Sequence, residues 1–322
     1  MERLEVWRRY LGEDDVTMSR LSGGINSAVY KVENTRGVYT LKLYYEHQGD
    51  SARDGMRAEI EFLKYANKVC KSGVPEIHEI DRENKAVLME YISGTEFDPG
   101  RFYSYEVIGQ FVSFFKEINR DRELALNAIS MSAAEGFQRL TDHMNCLRGR
   151  LQRMSSEHLP SHLRERGRNV IQALESDFYT TEERVLSMIS NGDVEDLIDQ
   201  ELLVISASDY GLHNVIERDG KAVFIDFEYS GWDDPCKAVL DFYLQPSMHM
   251  NRSCLYLLDA FDPVQKGYIH KRCKAVQPIL ELKWRCIIAN WLDPAKAKRL
   301  AFGLGEGWNA EYVEKKLDVL GA

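Results

Sequence analysis

Cysteine is scarce in this chain and never paired. Its six cysteines stand apart at Cys70, Cys146, Cys236, Cys254, Cys273 and Cys286, with no Cys-x-x-Cys among them. That spacing excludes a thiolate zinc site of the common kind and a disulfide framework, so the thiols are expected to be reduced and mostly in the core. Long hydrophobic runs are missing too. No stretch approaches the roughly 18 apolar residues of a membrane helix, and Met1 to Tyr10 is too charged for a signal peptide. The expectation is a cytoplasmic protein with no membrane partner. Positive charge is also in deficit: 41 Lys and Arg stand against 51 Asp and Glu, a formal net charge of −10. A nucleic-acid binder draws its affinity from basic phosphate contacts, so no nucleic-acid partner is expected. Proline numbers only 8, and no repeat or low-complexity segment occurs.

What is present is the composition of a globular protein, 44% hydrophobic and 29% charged over 322 residues. That length holds one large domain or two ordinary ones. The first ninety or so residues are strand-rich with one helix. A glycine turn separates apolar runs between Met18 and Val32, and Val38 to Tyr44 alternates as a half-buried strand does. Ala52 to Lys71 has helical spacing, with Ile60, Leu63 and Ala66 on one face and Gly73-Val74-Pro75 as the stop. Ala86 to Ile92 reads as a further strand, closed by Ser93-Gly94.

From Tyr105 onward helical patterns dominate. Phe111, Phe114, Phe115 and Ile118 form an aromatic stripe expected to pack in the core. Arg148 to Ser190 reads as charged helices broken at Leu159-Pro160 and near Asp177, within a helical insertion at about 148–200. Trp284, Ile287, Ile288 and Trp291 have core-like spacing in a helical tail. These patterns divide the chain into residues 1–92, strand-rich with one helix, and 93–322, mostly helical.

The chemistry-bearing residues come in a set order. Gly23, Gly24, Asn26 and Ser27 lie in a turn between strands, where glycines let the backbone approach phosphates and Ser27 can donate to their oxygens. No Gly-Lys-Ser/Thr follows, so this is not a P-loop. Lys42, inside the next strand, can reach phosphates and pair with a carboxylate on the following helix. Glu59 or Glu61 could supply it, and Glu59 is preferred because Leu63 and Ala66 fall on the packed side beside it. Asp209, then Asn214, then Asp226 follow short apolar runs. Asp209 is the candidate catalytic base, while Asn214 and Asp226 offer the hard oxygens that Mg2+ prefers. Transfer of a phosphoryl group from ATP needs this set, because its catalysis is mostly positioning and charge neutralisation. His213 is expected to hydrogen-bond within its own loop, and Asp233 and Asp234 to cap the helix that leads to Asp241.

These residues together resemble the aminoglycoside phosphotransferase and choline kinase family, over about Leu21 to Asp241. The specific parts are Gly23-Gly24, Lys42, Glu59, and Asp209-x-x-x-x-Asn214 followed by Asp226. Val87 to Gly94 resembles the family's connector between lobes, which implies that backbone atoms of Glu90 and Ile92 receive the adenine. The resemblance implies an α+β, bilobal, protein-kinase-like fold. A small N-lobe would carry an antiparallel sheet plus one helix, with ATP in a cleft and a small-molecule hydroxyl acceptor held by a larger, mostly helical C-lobe. Two departures stand out. Ala207-Ser208 replace the usual His-Gly before the base, and Gly211 and His213 exchange the family's His and Gly positions.

The reading is an ATP-dependent kinase for a hydroxyl of a sugar, amino alcohol or similar metabolite. Residues 148–200 with Trp232 and Asp233 would shape the acceptor pocket. The alternatives are an inactive, pseudokinase-like nucleotide-binding module and an aminoglycoside-resistance kinase. The second would need a carboxylate-rich pocket, for which Asp193, Glu195, Asp196 and Asp199 are candidates. A protein kinase is disfavoured because no Ala-Pro-Glu follows Asp226.

Overall fold

A computed structural model describes residues 7, 11, 16–21, 27–44, 53–70, 73–96, 105–245, 256–298 and 310–320. By internal contacts the chain forms two units. The first joins residues 1–134 to 204–233, and the second joins 135–203 to 234–322.

The first unit opens with β1 (Thr17–Arg20), β2 (Ser27–Asn34) and β3 (Gly37–Tyr44), followed by helix α1 (Gly55–Val69), β4 (Ile77–Asp81) and β5 (Ala86–Glu90). The strands make one antiparallel sheet in the order β1-β2-β3-β5-β4. Asn34 builds the β2–β3 turn: its Oδ1 accepts from the backbone of Arg36 and Gly37. Leu41 and Leu43 of β3 join Val32, Leu88, Ala86 and Trp7 in an apolar cluster on one face. By the period of two, Lys42 and Tyr44 point to the other face. The half-buried alternation expected for this strand is not seen: residues 37–40 are intermediate or exposed, and residues 41–44 are all buried. Both faces are covered at that end, which takes Lys42 out of water.

Helix α1 begins at Asp54, whose side chain accepts from the Arg57 N–H, and ends at Cys70. Its buried side carries Ile60, Phe62, Leu63 and Ala66, and also Glu59.

Past Glu90 the chain adds β6 (Thr95–Glu96), α2 (Tyr105–Ile118) and α3 (Arg122–Ala128). It returns to the same unit with β7 (Val204–Ser206), β8 (Val215–Arg218), β9 (Lys221–Phe224) and β10 (Gly231–Asp233). Strands β6, β8 and β9 form a three-stranded sheet, and β7 pairs with β10. Gly94 is required here, because a Cβ at that position would lie 2.3 Å from the Glu217 carbonyl oxygen. The aromatic stripe of α2 is core, as expected. Phe114 stacks on Phe224 with ring centroids 4.2 Å apart, and Phe62 of α1 stacks on Phe227 at 4.3 Å. This aromatic layer ties α1 and α2 to the segments on either side of Asp226.

The second unit is helical: α4 (Leu140–Gln152), α5 (Arg164–Ser190), α6 (Pro235–Leu244), α7 (Pro263–Ile288) and α8 (Ala310–Val319). Helices α4, α5 and α6 pack on α7. A break occurs at Leu159-Pro160 as expected, but none occurs near Asp177. Helix α5 runs unbroken because Val170, Leu174, Phe178 and Val185 keep a buried stripe going, while Asp177 lies on its exposed side and pairs with Arg285. The tail also differs from expectation. Trp291 is buried, but Trp284, Ile287 and Ile288 are only half-buried at the helix end. The core face of α7 is instead Ile269, Cys273, Val276, Ile279, Leu280 and Cys286. Buried ion pairs stitch the unit: Arg272 to Asp234 at 2.8 Å and Lys283 to Asp241 at 2.6 Å. None of the described cysteines is disulfide-bonded, and four of the five are buried; Cys254 lies outside the described residues. Among the described residues no helix is long and apolar enough to cross a membrane.

Candidate active site

Every described candidate for nucleotide, metal or base belongs to the first unit, while the four acids weighed for a carboxylate-rich acceptor pocket lie in the second. Lys42 is its centre. Its ammonium lies 2.6 Å from Glu59 Oε2 and 2.5 Å from Asp226 Oδ1, with Glu228 Oε2 at 3.7 Å. Burial alone would lower the Lys42 pKa, but the charges of Glu59, Asp226 and Glu228 outweigh it and hold the pKa well above the usual value. The lysine is therefore charged. Of the two helix glutamates weighed from the sequence, Glu59 is the one that meets it. Glu61 faces Arg57 and Ser130.

Glu59 is fully engaged. Oε2 accepts from Lys42 and from the Tyr44 hydroxyl at 2.5 Å, and Oε1 accepts from the Phe227 N–H at 3.3 Å. Tyr44 is held un-ionised by burial, reinforced by the Glu59 charge.

Asn214 and Asp226 flank a hairpin. Asn214 precedes β8, Asp226 follows β9 by two residues, and the pairing of Val215 with Phe224 brings the two ends together. The Ile225 N–H closes the junction by donating to the Asn214 carbonyl at 2.9 Å. Asn214 Nδ2 donates to the Asp209 carbonyl at 3.0 Å, which leaves its amide oxygen pointing away from that bond. Asp226 sits at φ +65°, a left-handed conformation that costs a non-glycine residue on the order of 1 kcal/mol. Asp209 carries His213 on its carboxylate, at 3.2 Å from Oδ2. The His213 pKa is raised, first by that hydrogen bond and further by the charges of Asp209 and Asp226, against the opposing effect of burial.

The remaining expectations divide. Gly23, Gly24 and Asn26 lie outside the described residues. Ser27 is buried as the first residue of β2, opposite Tyr44. Glu90 ends β5, with its carboxylate on Arg218 and its N–H on the Glu76 carbonyl. A base could therefore use only its carbonyl. Ile92 is buried. Trp232 donates its indole N–H to the Ile129 carbonyl, with Arg122 over the ring. In the second unit, Asp234 caps α6 through the Cys236 N–H. Asp196 accepts from Thr141 and Arg139, and Asp199 caps a short turn. Two of the four acids weighed for a polycation pocket thus serve the local fold.

Three participants were not singled out in the sequence. Tyr44 stands two residues after Lys42 on β3 and so shares its face by strand periodicity, whereas Glu228 lies two after Asp226 in a turn, where no such period applies. Arg53 had no such signal. Its guanidinium donates to the carbonyls of Glu228, Ser132 and Ser230, at 3.0, 2.6 and 2.5 Å, and pins the segment after Asp226 to the start of α1.

Asn214 and Asp226 carry the hard oxygens that could hold a divalent cation. Three carboxylates, Glu59, Asp226 and Glu228, converge on a single ammonium, so negative charge is in excess. Asp226 is partly open, with 36% of its side chain exposed. Among the described residues no cluster of three or more His, Cys, Asp or Glu has a metal-binding arrangement. A two-point oxygen site completed by phosphate and water is the manner in which Mg2+ is usually held.

Solved structures of low identity share this architecture. A choline kinase from Cryptosporidium parvum Iowa II is 11% identical with a TM-score of 0.60, covering 98% of this chain and 97% of that one. A choline/ethanolamine kinase family protein from Mesorhizobium loti is 16% identical with a TM-score of 0.54, covering 99% of each. A spectinomycin phosphotransferase solved with ADP and spectinomycin is 10% identical with a TM-score of 0.58, covering 99% and 93%. These likenesses establish a protein-kinase-like α+β fold. No curated protein sequence matches the chain. The model of the phosphotransferase enzyme family matches residues 17–243, well over half the sequence, and the chain belongs to that family.

Proposed function

We propose that the protein is a cytoplasmic, ATP-dependent phosphotransferase that moves the γ-phosphate to a hydroxyl of a small molecule, such as a sugar or amino alcohol. The observation that carries this reading is Lys42, held charged between Glu59 and Asp226. A buried ammonium braced by a helix carboxylate is suited to gripping phosphate oxygens, and its contact with Asp226 supports a metal held by that residue beside the same phosphates. Residues 1–92 would hold the nucleotide. Gly23, Gly24, Asn26 and Ser27 would face the phosphates, and the Glu90 carbonyl and Ile92 backbone would face the adenine. Residues 93–322 would supply the catalytic loop and the acceptor site.

Asn214 and Asp226 would hold magnesium through the amide and carboxylate oxygens. Bound there, the ion supplies charge neutralisation for the phosphate oxygens. Asp209 orients the acceptor hydroxyl and takes its proton as the bond to phosphorus forms. Lys42 and Glu59 keep the phosphates in register, and the Arg53 clamp keeps Asp226 near Lys42.

The test is ATP turnover by the purified protein against pooled hydroxylated metabolites, beside the Asp209→Ala variant. Acceptor-dependent ADP release that vanishes in the variant, with ATP binding intact, is expected. Turnover unchanged by Asp209→Ala would refute the assignment of the base.

A further inference from the structure

The histidine that usually stands two residues before the base in the family is missing here, where Ala207 and Ser208 precede Asp209. Local contacts hold it instead. The Asp209 N–H donates to the Ala207 carbonyl at 2.8 Å, a tight turn centred on Ser208, which sits at φ +63°. The Ser208 N–H is in turn held by Ser206 Oγ at 2.9 Å. These bonds fix the backbone of the loop.

The carboxylate is met by His213. Residues Leu212–Asn214 form a single 3-10 turn, which brings the imidazole back over Asp209, and Nε2 lies 3.2 Å from Oδ2. A carboxylate only accepts, so the ring nitrogen is the donor. The next residue, Asn214, grips the Asp209 carbonyl from the same turn. Consecutive side chains thus hold the main chain and the side chain of the candidate base. His213 is 51% exposed, so it is not there to fill the core. An exposed ion pair of this kind adds little to folding stability. Its consequence falls on the orientation of Asp209.

We infer that His213 is a positioning residue for the phosphotransfer reaction, anchoring Oδ2 of Asp209 so that the carboxylate is set to receive the acceptor's proton. This rests on the proposed reading of Asp209 as the base. It also explains the exchanged order of glycine and histidine in this loop: a histidine one residue before the asparagine, at the end of the turn, reaches the carboxylate. Gly211 supplies the extended residue, φ −111° and ψ 165°, that starts the turn.

The experiment compares wild type, His213→Ala and His213→Gln as full chains, with thermal melts as a folding control. Acceptor-dependent turnover, affinity for a non-hydrolysable ATP analogue and the magnesium concentration for half-maximal rate are measured for each. His213→Ala should lower kcat by about 10- to 100-fold, with nucleotide affinity and magnesium requirement within about twofold of wild type. His213→Gln, which retains an N–H donor, should recover part of the loss. Because the site is open, added imidazole should partly rescue the alanine variant. An active wild type with an unaltered His213→Ala overturns the inference alone. So does a variant whose kcat returns at high magnesium, since the histidine would then act through Asn214. A wild type inactive on every acceptor overturns the phosphotransferase reading, and this inference with it.

Discussion

Lys42 and Asp226, 184 residues apart in sequence, meet at 2.5 Å. Glu59 meets the same ammonium from helix α1, and the three side chains form a buried to half-buried knot in which one cation serves several carboxylates. Breaking it should be felt in both stability and turnover.

Lys42→Met is the sharpest probe. It leaves Glu59 and Glu228 buried without their cation, and removing one partner of a buried pair costs about 3–5 kcal/mol. Urea unfolding should show a loss of that size, and turnover should fall beyond detection. Glu59→Gln should be milder in stability, because Lys42 keeps Asp226. A Lys42→Met protein as stable as wild type would show that the knot is not a real feature of the fold.

Asp209→Asn should reduce kcat by about 10²- to 10⁴-fold while nucleotide still binds, since the amide can position a hydroxyl but cannot take its proton. Asp226→Asn should act differently, raising the magnesium needed for half-maximal rate. Chelation with EDTA should stop turnover in every active form. Isothermal titration with ATP, with and without magnesium, distinguishes the two effects.

Gly94→Ala tests the join between β6 and β8. The added methyl would meet the Glu217 carbonyl oxygen at 2.3 Å and the Ile216 side chain at 2.6 Å. Backbone cannot yield as a flexible side-chain tip does, so a loss of about 1–3 kcal/mol or more is expected by chemical denaturation.

His143 predicts an acid-sensitive second unit. Burial lowers its pKa from 6.5 to about 4, with Asp234 opposing and Lys237, Lys283 and Arg272 adding to the effect. Its Nε2 has no hydrogen-bond partner among the described residues. Between pH 6.5 and 4 the unfolded chain binds a proton that the folded chain refuses, so stability falls as pH drops through that window. The loss reaches about 3 kcal/mol near pH 4. Above pH 6.5 the histidine is neutral in both states and contributes no slope. Unfolding free energies for His143→Leu should vary less across this range than those of wild type; an identical slope would assign the acid sensitivity elsewhere.

Much of the site was legible because its parts are local. The spacing of Asp209 and Asn214, and the apolar run before Asp226, lie within one loop and one hairpin, where short-range pairing brings them together. Helical phase was enough to favour Glu59 over Glu61. Tyr44 and Glu228 escaped notice because their importance lies in what they touch rather than in their type. Arg53 was invisible for the same reason, since it binds three backbone carbonyls that no residue pattern announces. The break expected at Asp177 failed because one acid on a solvated helix face costs only tenths of a kcal/mol, while the buried stripe of α5 continues past it.

The order of glycine turn, strand lysine, helix glutamate, loop aspartate and hairpin ends is written in the sequence by itself, because chain order and periodicity decide which side chains share a strand, a helix face or a turn. Whether Lys42 would be a solvated surface lysine or the buried cation between Glu59 and Asp226 was decided only by the tertiary structure. That outcome depends on α1 covering the second face of β3, and on the aromatic layer of Phe62, Phe114, Phe224 and Phe227 carrying the distant hairpin to it. Burial by packing, rather than residue identity, makes that ammonium pair with carboxylates.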